Sequence, residues 1–283
     1  MQRGWRKIFE MGGSKESCAT LTHLFKRCED SEIKTFEDAK ALATWVSAAV
    51  VNIAMGSFPY PSAYLLNGKG MLPAYPVAAA CRFVEGERTD MEIVEGLMTG
   101  LTQMYYNNTG DKTCFSTKDT GAFSGSAWDY LACSEVILAS AQDGIRDMFW
   151  NAPFDREAMR KDCLEQYGSH TKFDVGSIKY GGRKAMRATS NVIFTNGELD
   201  PWIAEGVLQD VTDTVVSIII PKAGHHEDLM FSTKDDPPAL TDARERILVH
   251  IRRWIDEVTE AYEEPFISTN IAKKMWIWDK EEI

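Results

Sequence analysis

Two short segments carry side chains able to move a proton. Thr195-Asn196-Gly197-Glu198-Leu199-Asp200-Pro201-Trp202 offers a carboxylate behind a Gly turn, and Lys222-Ala223-Gly224-His225-His226-Glu227-Asp228-Leu229 offers two adjacent imidazoles. Asp200 and His225 stand 25 residues apart, each after a run that reads as a buried strand. A carboxylate bonded to imidazole Nδ1 fixes the tautomer and stabilises the imidazolium, which leaves Nε2 to take a proton from a nucleophile. A plainer role competes, because an Asp behind a Gly in a strand-to-helix loop is a common N-cap. His225, His226, Glu227 and Asp228 are also metal-ligand types, but adjacent histidines project in different directions and no second ligand cluster accompanies them. Acid–base pair and N-cap stay open as alternatives; no metal and no cofactor are expected.

Periodicity supplies the elements that must hold these loops. Asn191 to Phe194 reads as a short buried strand, and Thr214 to Ile220, β-branched almost throughout, as a parallel strand covered on both faces. Ala204 to Gln209 reads as a short helix between them. Leu240 to Tyr262 repeats Ala243, Ile247, Val249, Ile251, Trp254, Ile255 and Val258 at helical spacing. Upstream the texture is helical. Thr35 to Ala54 places Phe36, Ala39, Leu42, Ala43, Val46, Val50 and Ile53 three and four apart, and Pro76 to Phe83, Met91 to Tyr106, Trp128 to Ala139 and Arg156 to Tyr167 have the same period. The chain therefore reads as an all-helical layer over residues 1–175, an α/β unit over 176–262 and a charged tail over 263–283.

Composition narrows the partners. A chain of 283 residues with 44% hydrophobic content can bury a sizeable core, which excludes disorder and collagen. A net charge of −11 repels a phosphate backbone, so nucleic acid is not expected. The longest apolar run, Ala41 to Met55, is broken by Thr44, Ser47 and Asn52 and is too short for a membrane span. Six cysteines without a C-x-x-C pair suit disulfides rather than zinc, and Asn107-Asn108-Thr109 is a glycosylation sequon. Both features call for an oxidising compartment, whereas the first residues do not read as a signal peptide, so an upstream segment is expected.

The strings SNVIFTNGELDPW and AGHHEDL resemble the serine exopeptidase family that contains lysosomal Pro-X carboxypeptidase and dipeptidyl peptidase II. The resemblance continues in NIAMGSFPYPSAYL, LPAYPV, SAWDYLACSEV and DMFWNAPF and runs to about Tyr262. It implies the C-terminal part of an α/β-hydrolase with an inserted helical cap. By position it makes Asp200 the triad acid and His225 the general base, with Trp202 and His226 lining a substrate site. It also implies the disulfides Cys28 to Cys114 and Cys133 to Cys163, glycosylation at Asn107, and an upstream partner for Cys81, with Cys18 to Cys81 as the fallback. Peptides containing proline as substrates, a homodimer, and a lysosomal or secreted location complete the implication.

This chain departs from the family in one large respect. The nucleophile elbow Gly-x-Ser-x-Gly does not occur in the 283 residues. Gly12-Gly13-Ser14-Lys15 lacks the second Gly and a preceding strand, and Ser124 and Ser126 fail the same test. The expectation is therefore a proline-directed exopeptidase, of dipeptidyl-peptidase or carboxypeptidase type, represented here by its Asp and His without its Ser. The alternative is an inactive, truncated relative acting as a binding module. Met230 stands where some relatives carry Arg, which bears on the charge of His226.

Overall fold

The computed structural model describes residues 1–66, 69–117, 127–137 and 139–263. The tail from residue 264 onward, and Ser124 and Ser126, lie outside the described residues. Helices α1 (Gln2–Met11), α2 (Lys15–Leu24) and α3 (Phe36–Met55) form the first layer. Helix α3 starts at a capping box: the Asp38 N–H donates to the Thr35 hydroxyl and the Thr35 N–H to the Asp38 carboxylate. Ala39, Leu42, Ala43, Val46, Ala49 and Ile53 form its buried face and join Trp5, Ile8, Leu21, Phe25 and Phe115 in one core. Phe36, expected inside, is 48% exposed: it stands at the first helical position, with the ring of Phe9 tilted against it.

Helices α4 (Pro76–Cys81), α5 (Asp90–Gly96) and α6 (Gln103–Tyr106) follow. The helix expected over Met91 to Tyr106 is continuous but widens into a π turn at Leu97–Thr102. A Cβ on Gly96 would lie 2.1 Å from the carbonyl oxygen of Phe83, so the backbone there approaches the chain after α4 more closely than any side chain permits. The widened turn lets Thr102 Oγ1 donate to Leu97 O at 3.3 Å.

Helices α7 (Ala127–Ser134) and α8 (Arg156–Tyr167) are joined by the Cys133–Cys163 disulfide, and Cys28–Cys114 ties the chain after α2 to the chain after α6. The Cys18 to Cys81 fallback is not formed. Cys18 is buried with its thiol directed at the carbonyls of Met11 and Gly12, and Cys81 is exposed. An all-helical upstream layer is corrected as well: β1 (Gln142–Asp143) pairs antiparallel with β2 (Asn151–Ala152), and the helix expected to reach Ala139 stops at Ser134. Asp side chains build this hairpin. Asp147 Oδ2 accepts the Asp143 N–H at 2.7 Å, Asp143 Oδ1 accepts those of Ile145 and Arg146 at 2.8 Å, and Gly144 takes φ 65° between them.

After the short helices α9 (Val175–Tyr180) and α10 (Gly182–Met186) comes the α/β unit. Strand β3 (Val192–Gly197) pairs parallel with β4 (Val215–Ile220), in register from Val192 with Val215 to Gly197 with Ile220. Between them a 3-10 turn at Pro201–Glu205 replaces the helix expected at 204–209. Helix α11 (Pro238–Glu263) covers one face of the sheet, with Leu240, Ala243 and Ile247 against Ile218 and Ile220. Val249, Ile251, Ile255 and Val258, expected inside, are exposed. Length explains this, because a six-residue strand spans only about 20 Å and a 26-residue helix about 39 Å. Among the described residues no helix is long and apolar enough to cross a membrane.

The two ends of α3 should respond unequally to truncation. Leu42→Ala removes a fully buried side chain and should lower unfolding stability by about 2–5 kcal/mol, whereas Phe36→Ala should cost about 0.5 kcal/mol. Urea unfolding midpoints decide; equal shifts would contradict a buried face that holds Leu42 and leaves Phe36 outside.

Candidate active site

The ends of β3 and β4 are held together by the loops that leave them. Glu198 N–H donates to Ile220 O at 3.0 Å, Leu199 N–H to Ala223 O at 2.9 Å, and Lys222 N–H to the Glu198 carboxylate at 2.8 Å. Gly197 permits the contact, since a Cβ there would lie 2.4 Å from Gly224 O. The arrangement sets Asp200 beside His225.

Asp200 makes both of the contacts left open by its sequence, one with each oxygen. Oδ1 accepts the Trp202 N–H at 2.9 Å and caps the 3-10 turn, while Oδ2 lies 2.8 Å from His225 Nδ1. The side chains are 12% and 17% exposed, so the bond is largely shielded from water. With Nδ1 facing a carboxylate, the neutral ring carries its proton there and Nε2 is the nitrogen available for proton transfer.

Helix α3 closes one side of the pair. The His225 N–H donates to Met55 O at 3.2 Å, and the Trp202 indole N–H points at Met55 Sδ at 3.0 Å. The half-buried Trp202 ring lies 6.4 Å from the His225 ring, centroid to centroid. Trp202 and His225 thus share a contact with the last residue of α3. The His226 ring lies against that of His225, tilted by 40° with centroids 3.6 Å apart, and His226 has the left-handed φ of 56°. Its surface is open, yet lost solvation of the ring, followed by repulsion from His225, holds its pKa below the ordinary imidazole value.

Arg244 of α11 clamps the far side of the histidine loop. It donates to the carbonyls of Glu227, Asp228 and Met230, each at 3.0 Å, and pairs with the Asp236 carboxylate, whose side chain is 4% exposed. Burial alone would raise the Asp236 carboxyl, but the Thr233 N–H and Arg244 bring it below the ordinary value. The two imidazoles of this loop touch, but its four metal-ligand types do not converge on one point. His225 faces Asp200, Glu227 Oε2 accepts the Gly224 N–H, and no group of three His, Cys, Asp or Glu gathers among the described residues.

Asn107 lies in the turn after α6, with its amide donating to Gln103 Oε1 at 2.9 Å and its carbonyl accepting the Lys112 N–H at 2.8 Å. Sequence reasoning missed Met55, Arg244 and Asp236. Met55 ends an apolar helix and Arg244 sits in a charged run, so neither stands out without its long-range partner.

Comparison with known proteins identifies the relatives of this arrangement. The family model described as serine carboxypeptidase S28 matches residues 1–247. Lysosomal Pro-X carboxypeptidase of Bos taurus is 31% identical over 260 residues, covering 91% of this chain and 50% of its own length. The protein of the same name from Homo sapiens is 31% identical over 258 residues, with 90% and 50% covered. Prolyl carboxy peptidase like protein 5 of Caenorhabditis elegans is 28% identical over 274 residues, with 91% and 53% covered. The chain spans about half the length of these curated relatives.

Arg244→Met should destabilise the α/β unit by about 3 kcal/mol, because Asp236 is left buried without its cation and three carbonyls lose their donor. Denaturant unfolding read on the α/β unit checks this. A loss below about 0.5 kcal/mol, the size of an exposed pair, would refute the clamp.

Proposed function

Since the chain belongs to the serine carboxypeptidase S28 family, we propose that it supplies the acid and the base of a serine exopeptidase that cuts next to proline. The bond between Asp200 Oδ2 and His225 Nδ1, at 2.8 Å, carries this reading. The proposal takes residues 1–175 as a cap and 176–262 as the C-terminal part of the hydrolase unit, with Trp202 and His226 lining the substrate site. The serine comes from polypeptide outside the present sequence, which contains no Gly-x-Ser-x-Gly.

The chemistry is acyl transfer. Serine Oγ bonds to the substrate carbonyl carbon while its proton passes to His225 Nε2, and Asp200 stabilises the imidazolium through Nδ1. The C–N bond then breaks as His225 delivers that proton to the leaving nitrogen. Water, deprotonated by the same Nε2, releases the acyl group and restores serine. A Trp202 ring beside His225 provides an apolar wall of the kind a proline ring packs against.

The same reading extends to a lysosomal or secreted location, which relatives named lysosomal support, and to a homodimer. It also includes glycosylation of Asn107, for which the amide bond to Gln103 has to open. Carboxypeptidase action fits the names of the relatives; dipeptidyl-peptidase action is the variant to test beside it.

The test uses polypeptide that includes the serine. Asp200→Asn should lower kcat by roughly four orders of magnitude on proline-containing peptides, the size associated with turning a triad acid into its amide. The fold should be retained, because the amide still accepts the Trp202 N–H. The 283-residue chain alone should neither cleave these peptides nor label with a fluorophosphonate. Labelling of a serine within it, or full activity of Asp200→Asn, would sink the assignment.

A further inference from the structure

Glu227 is the one fully buried carboxyl in the histidine loop, at 0% exposure, and the acyl-transfer chemistry makes no use of it. Its Oε2 accepts the Gly224 N–H at 2.8 Å. Its Oε1 is buried and meets no hydrogen-bond partner among the described residues. The bond from residue 224 to residue 227 closes a turn around His225 and His226, and His226 occupies the left-handed region that side chains rarely adopt. The backbone on either side of the imidazole facing Asp200 is thus held by a side chain three residues along, while Arg244 holds the carbonyl of Glu227 from the other direction.

We propose that Glu227 is a positioning residue for His225: its buried carboxyl, bonded to the Gly224 N–H, keeps the strained turn closed and so fixes the imidazole against Asp200. This rests on the peptidase reading only in calling His225 the base.

The groups facing Glu227 decide which protonation state does this. Tyr60 lies on the chain after α3, Asp236 just before α11, Arg244 on α11 and Asp228 beside it. Burial raises the Glu227 carboxyl above its ordinary value; the Gly224 N–H and Arg244 oppose this, and Asp236 and Asp228 add to it. Tyr60 is pushed up to about 12, by burial first and then by Glu227, so it stays a neutral phenol beside the carboxyl. The net effect moves Glu227 towards its neutral form relative to a free carboxyl. A group whose folded pKa is raised gives its stabilisation in full below its unfolded pKa and loses it as pH rises through the folded value. The contribution of Glu227 to the His225 loop should accordingly be full in acid and fall as pH rises through its raised folded value.

The test follows the Nδ1 proton of His225 by NMR in the 283-residue chain, labelled with 15N at its five histidines, in wild type, Glu227→Gln and Glu227→Leu. Glu227→Gln keeps an acceptor for Gly224 and cannot ionise. Wild type should lose protection of the Nδ1 proton by about tenfold as pH rises through the raised Glu227 value, whereas Glu227→Gln should hold it with an unchanged melting midpoint. Glu227→Leu should show the unprotected proton at every pH. Equal pH responses in wild type and Glu227→Gln overturn the proposal, as does a folded Glu227→Leu with wild-type protection; if Glu227→Leu does not fold, the Gln comparison decides alone. The readout needs neither serine nor substrate. Failure of the peptidase reading would therefore appear in labelling and cleavage and leave this result standing.

Discussion

Parallel pairing of β3 with β4 determines where the two chemistry-bearing loops begin, because Gly197 and Ile220 are register partners at the same edge of the sheet. A one-residue slip would turn every β4 side chain to the other face, moving Ile218 and Ile220 off α11. It would also displace Ala223, whose carbonyl accepts the Leu199 N–H. The apolar contact with α11 and the polar bonds at the strand ends therefore enforce one register, and that register brings Asp200 Oδ2 within 2.8 Å of His225 Nδ1. In open α/β sheets the carboxyl ends of the strands are where such loops meet, and this pair obeys that rule.

Strain at the histidine loop is placed where a carboxylate or carboxyl can hold it. Lys222 and His226, at φ 58° and 56°, bracket the turn in the left-handed region, at a cost of about 1 kcal/mol each. The Lys222 N–H is taken by Glu198 from the first loop, and the turn around His226 is closed by Glu227 on the Gly224 N–H. Arg244 then fastens three carbonyls beyond it. Precise placement of an imidazole is worth more to proton transfer than its pKa alone, since a base must reach the proton it moves. The loop is consistent with that priority, as it commits backbone strain and a buried acid to geometry.

Local signals carried the parts of this picture that depend on neighbours in sequence. The β-branched run ahead of Pro221, the Asn-Gly turn ahead of Asp200 and the apolar stripe of α3 each encode their element within a few residues, and the strands at Val192–Gly197 and Val215–Ile220 lie close to the expected ones. Family resemblance added the two disulfide pairings, which no spacing argument provides. What was not legible depends on distance in the chain. Met55 touches Trp202 from 147 residues away, and Arg244 holds three carbonyls as well as Asp236, and contacts to carbonyls leave no sequence pattern. The β1–β2 hairpin was missed for another reason, because its two-residue strands have no periodicity and the Asp143 and Asp147 turn that makes them resembles any polar loop. Periodicity also overstated the buried face of α11, since a helical repeat reports which side is apolar and not how much sheet is there to cover it.

The upstream helices contribute to the site electrically as well as sterically. Helix α3 ends at Met55, one of the residues whose carbonyl finds no partner inside the helix, and that carbonyl accepts the His225 N–H. A 20-residue helix directs the negative end of its dipole at this point, and a cation near such an end is favoured by typically about 0.3–1 kcal/mol. In the proposed proton transfer His225 becomes that cation, so α3 favours the new charge at the moment Asp200 also attracts it. The N–H bond keeps the helix end in place whichever protonation state the ring is in, because it uses the backbone and leaves both ring nitrogens to other partners. Asp200 thus orients the ring through Nδ1, the end of α3 holds the backbone beside it, and Arg244 ties down the loop beyond. Loss of the helix end would weaken the imidazolium without changing the Asp200 bond in the neutral ring. On the proposed reading, helix α3 is therefore part of the acid–base apparatus and more than a cover over it.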